Sequence, residues 1–191
     1  MIAAEETVLV LLAAGKSSRF DGERSKLDEP LGAHPLGLHA ALALAPVTFK
    51  ARVAIVRRCR IDYAAHGFAM IENHDAIGDM ASSLRLGVAW AQEHAARAVL
   101  VALADMPRIT AAHVGRLLDA AEGDDAVVAS SAGTAPRPPA IFGQTVFDQL
   151  LSLTGDHGAR DLIRSARYVA TTAAELTDID TREDLARLTP A

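Results

Sequence analysis

Apolar residues in this chain come in short unbroken runs, with stretches of helical spacing between them. Runs at residues 8–12, 53–56, 69–71, 98–103, 126–129 and 140–142 predict strands, and a later pair is expected at 168–170 and 175–178. Continuous rather than alternating apolar runs suit strands buried on both faces, as in parallel sheets. Residues 36–45 predict a helix stopped by Pro46. The clearest helix is expected over 80–95, where Leu84, Val88, Ala91 and Ala95 share one face and Arg85, Gln92 and Glu93 lie opposite. Thr110 is placed to cap a helix over 111–121 that turns Val114, Leu117 and Leu118 inward and His113 and Arg116 outward. Further helices are expected at 145–153 and 159–165, and Thr181 is placed to cap a last one at 182–188. Strands alternating with helices indicate an α/β fold whose mostly parallel sheet is covered on both faces. No repeat, low-complexity tract or linker divides the 191 residues, so a single domain over 1–191 is expected. The stretch 132–139, with Gly133 and three prolines, reads as a loop.

Composition narrows the function classes. A net charge of −5 argues against a dedicated nucleic-acid binder, and no repeated aromatic–basic pattern suggests single-stranded nucleic acid. Cys59 is alone, which excludes an internal disulfide and a cysteine-based zinc site. Flanked by Arg58 and Arg60, it reads as a structural residue at a strand end rather than a reactive thiol. The seven histidines show no His-x-x-x-His pair. The first residues lack the basic start and apolar core of a signal peptide, and no apolar run reaches the ~20 residues needed to span a bilayer. A cytoplasmic protein with no membrane partner is the expectation.

The first predicted strand runs into Leu12-Ala13-Ala14-Gly15-Lys16-Ser17-Ser18-Arg19-Phe20, with Lys26 shortly after. Small residues let a ligand approach the backbone, and free N–H groups in such a turn can cradle phosphate. Lys16, Arg19 and Lys26 would neutralise it. The chain has only three lysines and two are here, which speaks against an ordinary solvated surface. The spacing is neither that of a Walker A loop nor that of a dinucleotide fingerprint.

The most apolar run, 98–103, ends in Ala104-Asp105-Met106-Pro107. Ligands in open α/β sheets gather beyond the carboxyl ends of strands, so Asp105 is placed to hold a metal there; a turn or cap role is the alternative. A second carboxylate is expected from Asp178-Ile179-Asp180, with Asp180 preferred as metal ligand and helix capping as its alternative. Gly78, Ser82 and Ser83 fall at the start of the 80–95 helix, where free N–H groups and hydroxyls meet anions. Arg160 falls in the first turn of the 159–165 helix, a place where a cation is unfavourable unless something anionic is near.

These motifs, in this order, resemble the nucleotidyltransferases of the GT-A-like, modified Rossmann type, and among them the molybdenum cofactor cytidylyltransferases (the MobA-like NTP transferases). The carriers are the Leu-Ala-Ala-Gly-x-Ser-x-Arg-Phe loop, Lys26, the stretch from Asn73 through Gly78 to Ser83, Leu-x-Asp-Met-Pro at 103–107, Gly-Asp-x-Gly-Ala-Arg at 155–160 and Asp-Ile-Asp-Thr at 178–181. Ala14-Gly15 fits the cytidylyl branch, where guanylyl relatives usually carry Gly-Gly. The resemblance implies a three-layer α/β/α sandwich and transfer of CMP from CTP to a phosphorylated acceptor, with release of pyrophosphate. Arg19, Lys26 and Asp105 would be catalytic. Leu12, Ala13, Ala14, Gly15, Lys16, Ser17, Ser18, Gly78, Ser82 and Ser83 would bind the nucleotide. Asn73, Asp156, Arg160 and Arg137 would bind the acceptor, and Asp105 and Asp180 would hold Mg²⁺. The acceptor implied is molybdopterin or its molybdenum form, with a molybdoenzyme as downstream partner. One segment departs: Arg137-Pro138 stands where the family often has Gly-His. That leaves two further readings, a small phosphate or sugar-phosphate acceptor and a non-catalytic cofactor chaperone.

Overall fold

The computed structural model describes residues 1–15, 20, 25–155 and 159–188. Its centre is a seven-stranded sheet. In chain order the strands are β1 (Thr7–Ala13), β4 (Ala51–Val56), β5 (Ala69–Glu72), β6 (Ala98–Leu103), β7 (Val127–Ser131), β8 (Arg137–Gly143) and β9 (Arg167–Ala170). The short β2 (Pro30–Leu31) and β3 (His34–Pro35) form a separate two-stranded ribbon. The order across the large sheet is β5-β4-β1-β6-β8-β7-β9. All neighbours are parallel except β8, which runs antiparallel to β6 and β7. That reversal brings the start of β8, at Arg137, to the same edge as the ends of β1 and β6.

Alternation along β1 builds the layers. Leu9 and Leu11 enter one apolar core with Leu100 and Ala102 of β6, covered by α1 (Leu38–Ala43) and α3 (Ala111–Ala120). Val8 and Val10 enter the other with Val99 and Val101, covered by α2 (Met80–Glu93), α4 (Phe147–Leu151) and α5 (Arg160–Arg164). A third, small cluster joins Phe20, Leu31 and Leu36 to Ile179 and to Leu185 of α6 (Arg182–Leu188). Helix α2 lies close on the sheet because of Gly87, where a Cβ would fall 2.3 Å from Val10 Cγ1. On that face it buries Leu84 and Val88, each contributing roughly 1.5–3 kcal/mol. Three helices are capped by side chains, two of them at the threonines expected from the sequence. Asp79 accepts from Ser82 N at 2.6 Å, Thr110 from His113 N at 3.1 Å and Thr181 from Asp184 N at 3.1 Å.

The three-layer sandwich expected from the sequence is present, with local corrections. Residues 175–178 form no strand: a turn at 173–176 is followed by irregular chain. Glu175 is held there by Thr110 and Thr171. The 80–95 helix ends at Glu93, and Ala95 is exposed with φ +50°. His113 points inward, not outward: it is fully buried. The 145–153 helix is a 3-10 turn followed by the short α4. Among the described residues no helix is long and apolar enough to cross a membrane.

Candidate active site

A cleft of about 680 Å³ opens at the carboxyl edge of β1 and β6. Its walls come from the end of β1, the start of α2, the turn after β6, the start of β8, and α5. This is where an open α/β sheet places ligands.

Lys26 is the structural centre. A short 3-10 turn, begun by Ser25 accepting from Leu27 N, brings it under the edge of the sheet. Its ammonium donates to Ile179 O at 2.6 Å and Asp180 Oδ1 at 3.0 Å and lies 2.8 Å from Asp105 Oδ2. Burial alone would lower the lysine's pKa, but Asp105 and Asp180 outweigh it and push it up. Asp105 sits in the turn after β6, where its backbone carbonyl accepts from Ile179 N at 3.0 Å and so ties the late Asp-Ile-Asp segment to the strand end. Burial, aided by Asp178 and Asp180, holds the Asp105 carboxyl above its ordinary range although Lys26 opposes this. Its Oδ1 is buried and has no hydrogen-bond partner among the described residues. Such an oxygen is costly to leave unmet.

That orphaned oxygen is the test for a metal. The described residues gather no group of three or more His, Cys, Asp or Glu side chains, so a structural metal cage is not built here. Magnesium, however, commonly uses one or two carboxylates and completes its shell with water and substrate phosphate. Asp105, whose Oδ1 is unmet among the described residues while Oδ2 faces Lys26, and the partly exposed Asp180 fit that pattern.

The start of α2 forms a second wall. Gly78 has φ +56°, and the Arg57 guanidinium fills the space a Cβ would need, so only glycine fits. Asp75 fastens this turn by accepting from Ile77 N and Gly78 N, both at 2.9 Å. Asn73 lies behind it. Its amide donates to Ser82 Oγ at 2.9 Å and Ser83 Oγ at 2.8 Å, and its own carbonyl oxygen accepts from Asp75 N. Asn73 and Ser82 are therefore buried supports rather than cleft-lining groups, which corrects their expected ligand contacts; Ser83 does reach the cleft.

Asp79 does more than cap. Its second oxygen accepts from Gly155 N at 3.0 Å, and Ala81 N donates back to Gly155 O. The Ser82 and Gly155 N–H groups hold its carboxyl below the usual range. Arg85 also reaches Leu153 O, so α2 fastens the segment that leads to α5. Arg160 and Arg164, four apart on α5, both face the cleft.

From the start of β8, Arg137 donates to Leu176 O and to Asp178 Oδ1, both at 3.4 Å. Of the residues expected at the site, Leu12, Ala14, Gly15, Lys26, Gly78, Ser83, Asp105, Arg137, Arg160 and Asp180 meet in this cleft. Ala13 is buried in β1 instead. Lys16, Ser17, Ser18, Arg19 and Asp156 lie outside the described residues. The sequence reading missed Arg164 and the Asp79 link. The i,i+4 spacing from Arg160 could have shown the first; nothing local shows the second. Burial pushes the Cys59 thiol up from its ordinary value, which supports its reading as a structural residue.

The sequence profile of the MobA-like NTP transferase domain matches residues 9–172. The chain is 31% identical over 192 residues to the purine catabolism protein PucB of Bacillus subtilis (strain 168), covering 92% of each. It superposes on a nucleotidyl transferase of Methanothermobacter (Mth528) with a TM-score of 0.80 at 20% identity, covering 95% of each chain. It also superposes on Rv0371c of Mycobacterium tuberculosis, solved as a complex with manganese, with a TM-score of 0.69 at 22% identity over 100% of both chains. At these identities the two structures speak for the fold alone.

Proposed function

This chain belongs to the MobA-like NTP transferase family, and on that premise we propose that it transfers CMP from CTP to a molybdopterin-type acceptor. A nucleotidyltransferase joins an acceptor to a nucleoside monophosphate. Here an acceptor phosphate oxygen attacks the α-phosphorus, a new P–O bond forms, and the bond to the bridging oxygen breaks to release pyrophosphate. A phosphate acceptor is already ionised, so no general base is needed. The work is positioning and neutralisation of charge. Arg19 holds the triphosphate, Lys26 orients the two carboxylates that face it, and the backbone at Ala14 and Gly15 borders the nucleotide. Asp105 and Asp180 hold Mg²⁺, which when bound eases the departure of a negatively charged leaving group. Ser83 and Gly78 shape the nucleotide side of the cleft, and Arg160, Arg164 and Arg137 its acceptor side. The cytosine dinucleotide product passes to a molybdoenzyme, and the reaction is set in the cytoplasm.

The single observation that carries this reading is the clamp of Lys26 between Asp105 and Asp180 at the edge of β6, beside an Asp105 oxygen that has no partner among the described residues. Pure cofactor binding, as in a chaperone, has no need of that arrangement.

A second reading has its own support. Arg137 is turned to Asp178 in the cleft wall and adds a cation where the resemblance expects glycine. It favours a different small phosphate, such as a sugar phosphate or polyol phosphate. Offering CTP and Mg²⁺ with molybdopterin and with a panel of sugar and polyol phosphates tests the choice. Turnover with molybdopterin supports the first reading, and turnover only with a non-pterin phosphate replaces it.

A further inference from the structure

His113 is fully buried, it takes no part in the chemistry above, and its hydrogen-bonding roles follow from its neighbours. Arginine can only donate, so Arg116 Nη2, 3.0 Å away, makes His113 Nδ1 an acceptor. Ser130 Oγ spends its one hydrogen on Pro139 O at 2.7 Å. The other contact of that hydroxyl, His113 Nε2 at 2.7 Å, must therefore be a donor. The imidazole is neutral, protonated on Nε2, and the bonds run in one direction from Arg116 through His113 and Ser130 to the Pro139 carbonyl.

That carbonyl lies at a bulge. The β7–β8 register pairs Ala129 with Ala140 but Ser130 with Arg137, so Pro138 and Pro139 are extra residues outside the ladder. Prolines have no N–H to give, and the buried Pro139 carbonyl takes its bond from Ser130 instead. The bulge presents Arg137 and Pro138 to the cleft. The same helix secures Arg137 from its other side: Thr110, the α3 cap, donates to Glu175 at 2.5 Å, and the adjacent Leu176 carbonyl accepts from Arg137.

We propose that His113 is a positioning residue of the acceptor wall, acting through Ser130 on the bulge that carries Arg137 and Pro138. The proposal rests on the reading that this wall faces the acceptor. An apolar side chain would fill the same space in α3 but remove the donor that orients Ser130 Oγ, so that its bond to Pro139 O loses its direction.

The test uses His113→Leu, His113→Gln, whose side-chain amide can supply the donor in place of Nε2, and Ser130→Ala. Hydrogen exchange at the Arg137 and Ala140 amides needs no substrate. It is expected to rise about tenfold in H113L and S130A, the loss of about one hydrogen bond, and to stay near wild type in H113Q. With CTP and molybdopterin, H113L is expected to raise KM for molybdopterin about tenfold with KM for CTP unchanged, and H113Q to restore it. If H113L does not fold, S130A carries the same comparison. Unchanged exchange at Arg137 and Ala140 overturns the proposal, as does an effect on CTP rather than acceptor. Absence of wild-type turnover counts against the molybdopterin reading alone, and exchange then decides the role of His113.

Discussion

The Lys26 ammonium lies 2.8 Å from Asp105 Oδ2, and the same ammonium reaches Asp180, 154 residues further along the chain. The lysine thus joins the loop after the first strand to the turn after β6 and to the segment before the last helix. Removing one member of a buried pair costs more than removing both, because it strands the other charge. Lys26→Met should lower unfolding stability by about 3 kcal/mol, and Lys26→Met/Asp105→Asn should recover part of that loss. Urea denaturation of the three proteins checks it. Neither variant should turn over.

Asp79 offers a cleaner dissection. Asparagine caps helices as well as aspartate does, but its amide nitrogen cannot accept the Gly155 N–H. Asp79→Asn should leave α2 intact by circular dichroism while costing about 1–2 kcal/mol at the Gly155 link. Turnover should fall through a higher acceptor KM, because Arg160 and Arg164 lie beyond that link. Steady-state kinetics in both substrates read this directly.

Arg137 should separate function from stability. Its contact with Asp178 spans 3.4 Å between two half-exposed side chains, and such pairs contribute less than about 1 kcal/mol. Arg137→Ala should therefore leave the melting temperature nearly unchanged and raise KM for the acceptor. A large drop in melting temperature would make the residue a structural brace instead.

Acid sensitivity should trace in part to His113. Burial, with Arg116 against Nδ1, lowers its pKa from the ordinary histidine value of about 6.5, and Glu175 on the neighbouring loop only partly opposes this. The unfolded chain then binds a proton that the folded chain refuses. The stability this lends is complete above about pH 6.5 and is lost as pH falls from there toward the folded pKa. Urea midpoints at pH 7.5 and 5.5 should differ more for wild type than for His113→Gln.

Residues that carry their own signal were readable from the sequence. The run 98–103 is apolar throughout and became β6 residue for residue, and Thr110 and Thr181 cap as their placement suggests. What depends on distant partners was not. His113 sits on the margin between helix faces, and its polarity suggested solvent; the Ser130 that receives it is 17 residues away. Residues 175–178 looked extended, but Glu175 is drawn into a turn by Thr110, 65 residues earlier. At the site, Lys26, Asp105 and Asp180 each stood out singly. That one ammonium joins the two carboxylates follows only from the sheet order that brings β1 beside β6.

The reaction proposed is nucleotidyl transfer at the Lys26–Asp105–Asp180 clamp. Pyrophosphate release with Mg²⁺ and molybdopterin, compared across CTP, GTP, ATP and UTP for wild type and Asp105→Asn, tests it most directly. Release with CTP is expected for wild type, with a loss of orders of magnitude in the variant. Release that survives Asp105→Asn, or no release with any of the four nucleotides, would contradict it.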